Sequence, residues 1–143
     1  MATSSTKPPI TCHVLDTTLG RPAPSIPVTL TLFNPPSTLS PQSLTFRGTT
    51  NSDGRVTCWS PTSPFSADSL DVIFKREGDQ KWSLTFDTEE YFGGRGVKTF
   101  FPEVVVSFLV REEGYKDEGG GKKEDYHVPV LLGPFGYTTY RGS

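Results

Sequence analysis

Cysteine is scarce in this chain: Cys12 and Cys58 are the only two among 143 residues. Two thiols cannot build the framework of bridges that staples small secreted domains. Stability must therefore come from a hydrophobic core, and both cysteines are expected free in a reducing compartment. Long apolar runs are missing as well. No stretch reaches the roughly 18 consecutive apolar residues of a membrane helix, and Met1 to Pro9 is Ser/Thr-rich without the apolar centre of a secretory signal. The net charge is only -2, so neither a basic nucleic-acid face nor an acidic tail is indicated. No glycine-rich loop joins a strand to a helix, which excludes a phosphate cradle at the 119–121 glycines. The chain does not end in Ser-Lys-Leu, so no C-terminal peroxisomal address is readable, and a cytoplasmic location is expected.

Turn formers are plentiful instead, with 14 glycines and 13 prolines beside 12% aromatics. That mixture suits short strands separated by many turns. A length of 143 residues is enough for one domain with one core. Residues 1–9 read as a flexible leader and 10–143 as that domain.

A first strand is expected from Ile10, with Thr11, His13 and Leu15 on one face and Cys12, Val14 and Asp16 on the other. Ile26, Val28, Leu30 and Leu32 recur at period two and mark the next clear strand, through Phe33. Leu44 and Phe46 share a face in a strand over 43–49. Asp53-Gly54 supplies the positive φ of a tight turn, with Arg55 where the turn enters the following strand. Residues 60–67 read as a loop. Leu70–Lys75 and Lys81–Phe86 read as two strands around Glu77-Gly78-Asp79. The only helix expected spans Asp87–Phe92, capped by Asp87 with Glu90 three residues on and stopped at Gly93-Gly94. Thr99–Val110 is a long strand that Pro102 interrupts or confines to an edge, and residues 111–125 form a charged surface loop. Trp82 and the Phe100-Phe101 pair are core candidates first, with an interface as the second reading. Tyr126–Ser143 reads as strand, Gly-Pro turn and strand, alternating aromatic and polar residues to its end. The fold class is all-β, a sandwich.

The chain has two histidines, His13 and His127. Imidazole is the usual carrier of protons near neutral pH. Taken singly, each is most simply a strand side chain satisfied by a neighbour, and Arg55 a solvated charge. Cys12 and His13 fall on opposite strand faces, which excludes a Cys-His dyad. Two histidines without a nearby acidic partner at ligand spacing argue weakly against zinc, and Asp16 reads as a turn or arginine partner.

Two motifs change the weighting. Tyr126-His127-Val128-Pro129, then Pro134-Phe135-Gly136-Tyr137-Thr138-Thr139-Tyr140-Arg141-Gly142-Ser143, resembles the C-terminal signature of the 5-hydroxyisourate hydrolases, the enzymatic branch of the transthyretin-like family. Thr11-Cys12-His13-Val14-Leu15-Asp16-Thr17 with Leu19-Gly20-Arg21-Pro22-Ala23 is similar to the N-terminal one. Gly133, Phe135 and Thr138 depart from the usual Ser, Tyr and Ser. The resemblance covers nearly all of the chain from Ile10 to Ser143. It implies a transthyretin-like sandwich of two four-stranded sheets with one short helix. It also implies cofactor-free, metal-free hydrolysis of a ring amide in 5-hydroxyisourate, giving 2-oxo-4-hydroxy-4-carboxy-5-ureidoimidazoline in urate catabolism, by a homotetramer. On this reading His13, Arg55, His127 and Ser143 are catalytic, while His13, Arg55, Tyr140 and Arg141 bind substrate. A non-catalytic carrier of small aromatic ligands is the alternative. An Ig-like adhesion module would require a secretion signal.

Overall fold

The computed structural model describes residues 7–33, 44–62, 69–76, 78–112 and 125–143. Most of the expected leader, residues 63–67 of the loop expected over 60–67 and most of the charged segment at 111–125 lie outside them.

Two sheets form a sandwich. The first has β1 (Ile10–Asp16) at its centre, flanked by β2 (Arg21–Pro22), β5 (Arg55–Val56) and β9 (Tyr126–Leu132), with β10 (Tyr137–Thr139) beyond β9. The second runs β6 (Ser60–Pro61), β4 (Leu44–Thr49), β3 (Pro27–Leu32), β7 (Gln80–Phe86), β8 (Val104–Val110). Each sheet has five strands rather than the expected four because two-residue pairings at the sheet margins add to the longer strands. All pairings are antiparallel except β1 with β9.

Period-two alternation fixes the core. Cys12, Val14, Val128 and Val130 from the first sheet meet Val28, Leu30, Leu32, Trp82, Leu84 and Phe86 from the second, and all are buried. Burial pushes the Cys12 thiol up to about 12, leaving it an inert core residue. The opposite faces of β1 and β9 carry Thr11, His13, Leu15, His127, Pro129 and Leu131.

Three further expectations are corrected. Leu70–Phe74 is a helix, α1, not a strand. Its sequence fits both periods, with Leu70, Val72 and Phe74 alternating and Leu70, Ile73 and Phe74 spaced for one helix face. Ser69 decides the matter by capping the Val72 N–H, and Val72 is left 52% exposed while Leu70, Ile73 and Phe74 are buried. Gln80 then donates from Nε2 to the Ile73 carbonyl at 2.8 Å, fastening α1 to β7. The strand expected from Thr99 begins only at Val104, because residues 99–103 turn back onto the 133–136 loop. The Phe100 N–H and the Thr99 hydroxyl both reach the Pro134 carbonyl, at 2.7 and 2.8 Å. Phe100 consequently stands 71% exposed, edge-on to Phe101, whereas Trp82 is core.

The second helix, α2 (Thr88–Gly94), starts where expected: the Asp87 carboxylate accepts from the Glu90 N–H at 3.1 Å. A buried carboxylate ties it to β1. Asp16, 0% exposed, accepts from the Tyr91 hydroxyl and from Arg95 Nη1, each at 2.7 Å, and from the N–H and hydroxyl of Thr18. It is thus both a turn residue and an arginine partner. Burial alone would raise its pKa, but the Thr18 and Tyr91 hydrogen bonds and the Arg95 charge outweigh burial and hold it below the ordinary carboxylate value. A depressed folded pKa contributes stability above the unfolded value, near 3.8, that is lost as pH falls through the folded pKa. Asp16→Asn is expected to cost about 2–4 kcal/mol in urea unfolding at pH 7, since the donors lose their charged acceptor. The deficit should shrink towards pH 3; one that is absent at pH 7 or independent of pH would contradict this account.

Candidate active site

The parallel register of β1 and β9 sets Thr11 opposite His127 and His13 opposite Pro129, all on the face away from the core. The two histidines are therefore one pleat apart on neighbouring strands, with ring centroids 6.4 Å apart and planes inclined by 32°. Thr11 Oγ1 lies 2.8 Å from His127 Nδ1.

Arg55 arrives from the other side of β1, directly paired with His13. The turn before it is tightly specified. Asn51 Oδ1 accepts from the N–H groups of Asp53 and Arg55 at 2.9 and 3.1 Å. Gly54, at φ +76°, donates to the Asn51 carbonyl at 2.8 Å and accepts from the Val14 N–H at 2.8 Å. A Cβ on Gly54 would stand 2.4 Å from the Val14 carbonyl oxygen, so glycine is required both by the backbone angle and by the close approach to β1.

The C-terminal segment closes the site from beyond β9. Tyr137–Thr139 pairs with β9, Thr139 donates its hydroxyl to the Pro129 carbonyl at 2.8 Å, and the same register returns at Gly142, whose N–H donates to the His127 carbonyl at 2.8 Å. Gly142 thus lies against His127 and Pro129, where a Cβ would come within 2.7 Å of His127 Cδ2. Its neighbour Arg141 sits over the Tyr126 ring, 4.6 Å from the centroid to the guanidinium carbon. Tyr126 is on the core-facing side of β9, opposite to His127. Tyr140 and Ser143 are exposed.

Two depressions adjoin these residues, one beside Thr11 and Arg55 and one beside His127. One, of about 570 Å³, is lined by Lys7, Thr11, Arg55 and Thr57. The other, of about 260 Å³, is lined by His127, Thr139, Tyr140 and Arg141 with part of β8. The first is large enough for a small heterocycle.

Both imidazoles are held below their ordinary value near 6.5. For His13 the causes are burial and then the Arg55 charge, against smaller raising effects from the Asp53 carbonyl and carboxylate. For His127 they are burial, Arg55, His13 and Lys7 in that order. Both rings are accordingly neutral at pH 7, the form that accepts a proton. The structure therefore brings His13, His127 and Arg55 together and lays the terminal segment along β9, with Arg141 directed to Tyr126. Thr11 and Lys7 were not singled out as site residues in the sequence reading. Thr11 was findable, since it shares the face of His13 at period two; Lys7 lies in the stretch read as leader and had no such signal.

A two-sheet β-sandwich with a short helix after β7 and a histidine pair beside an arginine on one outer face defines a transthyretin-like protein. Residues 10–142 match the HIUase/Transthyretin family, and the chain belongs to it. It is 38% identical to the 5-hydroxyisourate hydrolase of Mus musculus, over all of both chains. It is 35% identical to the probable 5-hydroxyisourate hydrolase of Schizosaccharomyces pombe, over 95% of this chain and 92% of that one. The solved 5-hydroxyisourate hydrolase of Klebsiella pneumoniae shares the fold with a TM-score of 0.61 at 24% identity, over 94% of this chain and 92% of that one.

Proposed function

We propose that this protein is a 5-hydroxyisourate hydrolase of urate degradation, working without a cofactor. The observation that carries the reading is the meeting of two neutral histidines and Arg55 on one outer sheet face, in a chain whose full-length relatives bear that name.

Hydrolysis of the ring amide needs three things. A base must take a proton from water as its oxygen bonds to the carbonyl carbon; donors must hold the oxyanion that forms; and the departing nitrogen must gain a proton as the C–N bond breaks. The His13–His127 pair carries the proton from the water to the nitrogen, a role worth about 10²–10⁴-fold in rate. Arg55, with its planar fork of donors, suits the ring carbonyls and the developing oxyanion. Ser143 and Tyr140 supply hydroxyls at the rim, and Arg141 adds positive charge from its position over Tyr126. The reaction consumes one water and leaves a carboxylate and a ureido nitrogen.

A homotetramer is part of this proposal, supported by family membership and by exposed Phe100, Phe135 and Tyr137, which a subunit contact would cover. No helix among the described residues is long and apolar enough to cross a membrane. Free Cys12 and Cys58 support a cytoplasmic location.

The test is direct. With 5-hydroxyisourate generated in situ from urate, its ultraviolet decay is expected to accelerate in proportion to added protein. No acceleration by folded protein would overturn the hydrolase reading and put the carrier of small aromatic ligands in its place.

A further inference from the structure

We infer that Thr11 is a positioning residue for His127, its hydroxyl holding the ring by Nδ1 so that Nε2 is the nitrogen that exchanges the catalytic proton. The inference rests on the hydrolase reading for its kinetics, but the contact itself is independent of the substrate.

The geometry is specific. Thr11 Oγ1 is 2.8 Å from His127 Nδ1, within ordinary hydrogen-bond range, and the pair is set by the parallel register that places Thr11 directly opposite His127. Thr11 is only 8% exposed, so bulk water does not readily replace its hydroxyl. It also lines the larger depression together with Arg55.

The chemistry of a hydroxyl suits this place better than the alternatives. A histidine that shuttles a proton alternates between a neutral and a cationic ring. A carboxylate against Nδ1 would favour the cation and retain the proton, and a carbonyl could only accept, fixing one tautomer. A hydroxyl both donates and accepts, so it keeps Nδ1 hydrogen-bonded whichever state Nε2 is in. The charges acting on His127 are those of Arg55, His13 and Lys7, all cationic or potentially so. An uncharged partner at Nδ1 leaves their effect unopposed, and the ring stays ready to receive and release its proton.

Thr11→Val keeps the shape and β-branching of the side chain while removing the hydroxyl, and Thr11→Ser keeps the hydroxyl. The expected result is a fall in kcat of roughly 10- to 100-fold in Thr11→Val, the scale of a misplaced catalytic group, with KM changed less than about twofold and most of kcat restored in Thr11→Ser. In ¹⁵N spectra of the imidazoles, His127 Nδ1 should shift in Thr11→Val and return in Thr11→Ser while His13 stays in place. Unchanged His127 signals in folded Thr11→Val, or a kcat within twofold of wild type, would overturn the inference. Wild-type protein without activity would instead remove the hydrolase reading and with it the kinetic role, while the imidazole signals would still decide whether Thr11 holds His127.

Discussion

Replacing His127 by alanine is expected to lower kcat/KM for 5-hydroxyisourate by about 10²–10⁴-fold, the range in which a positioned general acid–base group acts. The fold should survive, because His127 is only half-buried on the outer face of β9 and the core-facing Tyr126, Val128 and Val130 are untouched. His13→Ala should cost a similar factor. The double variant should lose much less than the product of the two, since residues that move one proton act as a unit. The pH dependence follows in sign. Both folded pKa values lie below 6.5, so the wild-type rate should be flat around neutrality and fall only as pH drops through those lowered values and the rings take up protons. Between 6.5 and the folded values the unfolded chain binds more protons than the folded one, and stability should decline with falling pH in that same window. A His127→Ala protein that turns over at the wild-type rate, or an acidic limb that starts above pH 6.5, would remove the histidine pair from the mechanism.

Much of this site was legible in the sequence for local reasons. The alternation of Ile10–Asp16 assigns His13 to the face opposite Cys12 and Val14 without any knowledge of partners, and Asp53-Gly54 announces the turn that delivers Arg55. The meeting of the histidines was not legible locally. Thr11 and His127 are 116 residues apart, and only the parallel pairing of β1 with β9 makes them neighbours; the resemblance supplied that placement where periodicity could not. The failures have physical causes of the same kind. In Leu70–Phe74 an apolar run satisfied both repeat lengths, and the difference lay in the Ser69 cap and in the side of Val72 that met water. For Phe100, hydrophobicity suggested the core, but Pro102 interrupts strand hydrogen bonding and the preceding residues bond to the Pro134 carbonyl instead. Arg141, two residues from the end of the sequence, lies over the Tyr126 ring and lines the same depression as His127 and Tyr140.

That pairing makes Gly142→Ala the variant that separates geometry from chemistry, because it alters no group that carries a proton. The new Cβ would lie 2.7 Å from His127 Cδ2 and 2.9 Å from Pro129 Cγ. The proline ring, built into β9, cannot turn aside, so relief must come from elsewhere. Either the terminal segment lifts and the 2.8 Å bond from the Gly142 N–H to the His127 carbonyl is lost, or the imidazole rotates away from Thr11 and the 2.8 Å contact at Nδ1 is lost. Both routes displace the His127 ring or the terminal segment paired with it. A misplacement of about 1 Å is enough to cost about 10²-fold in rate, whereas one surrendered hydrogen bond at a sheet margin costs only about 0.5–1.5 kcal/mol of stability. The expected outcome is therefore a protein that unfolds in urea nearly as wild type does, yet hydrolyses 5-hydroxyisourate about 10²-fold more slowly. Gly93→Ala in α2, where a Cβ meets nothing within 4 Å, should keep full activity and serves as the control for adding a methyl group. Wild-type kcat in Gly142→Ala would mean that the terminal segment does not hold the His127 ring in place. A loss of activity matched by an equally large loss of stability would mean that it acts only as a strand.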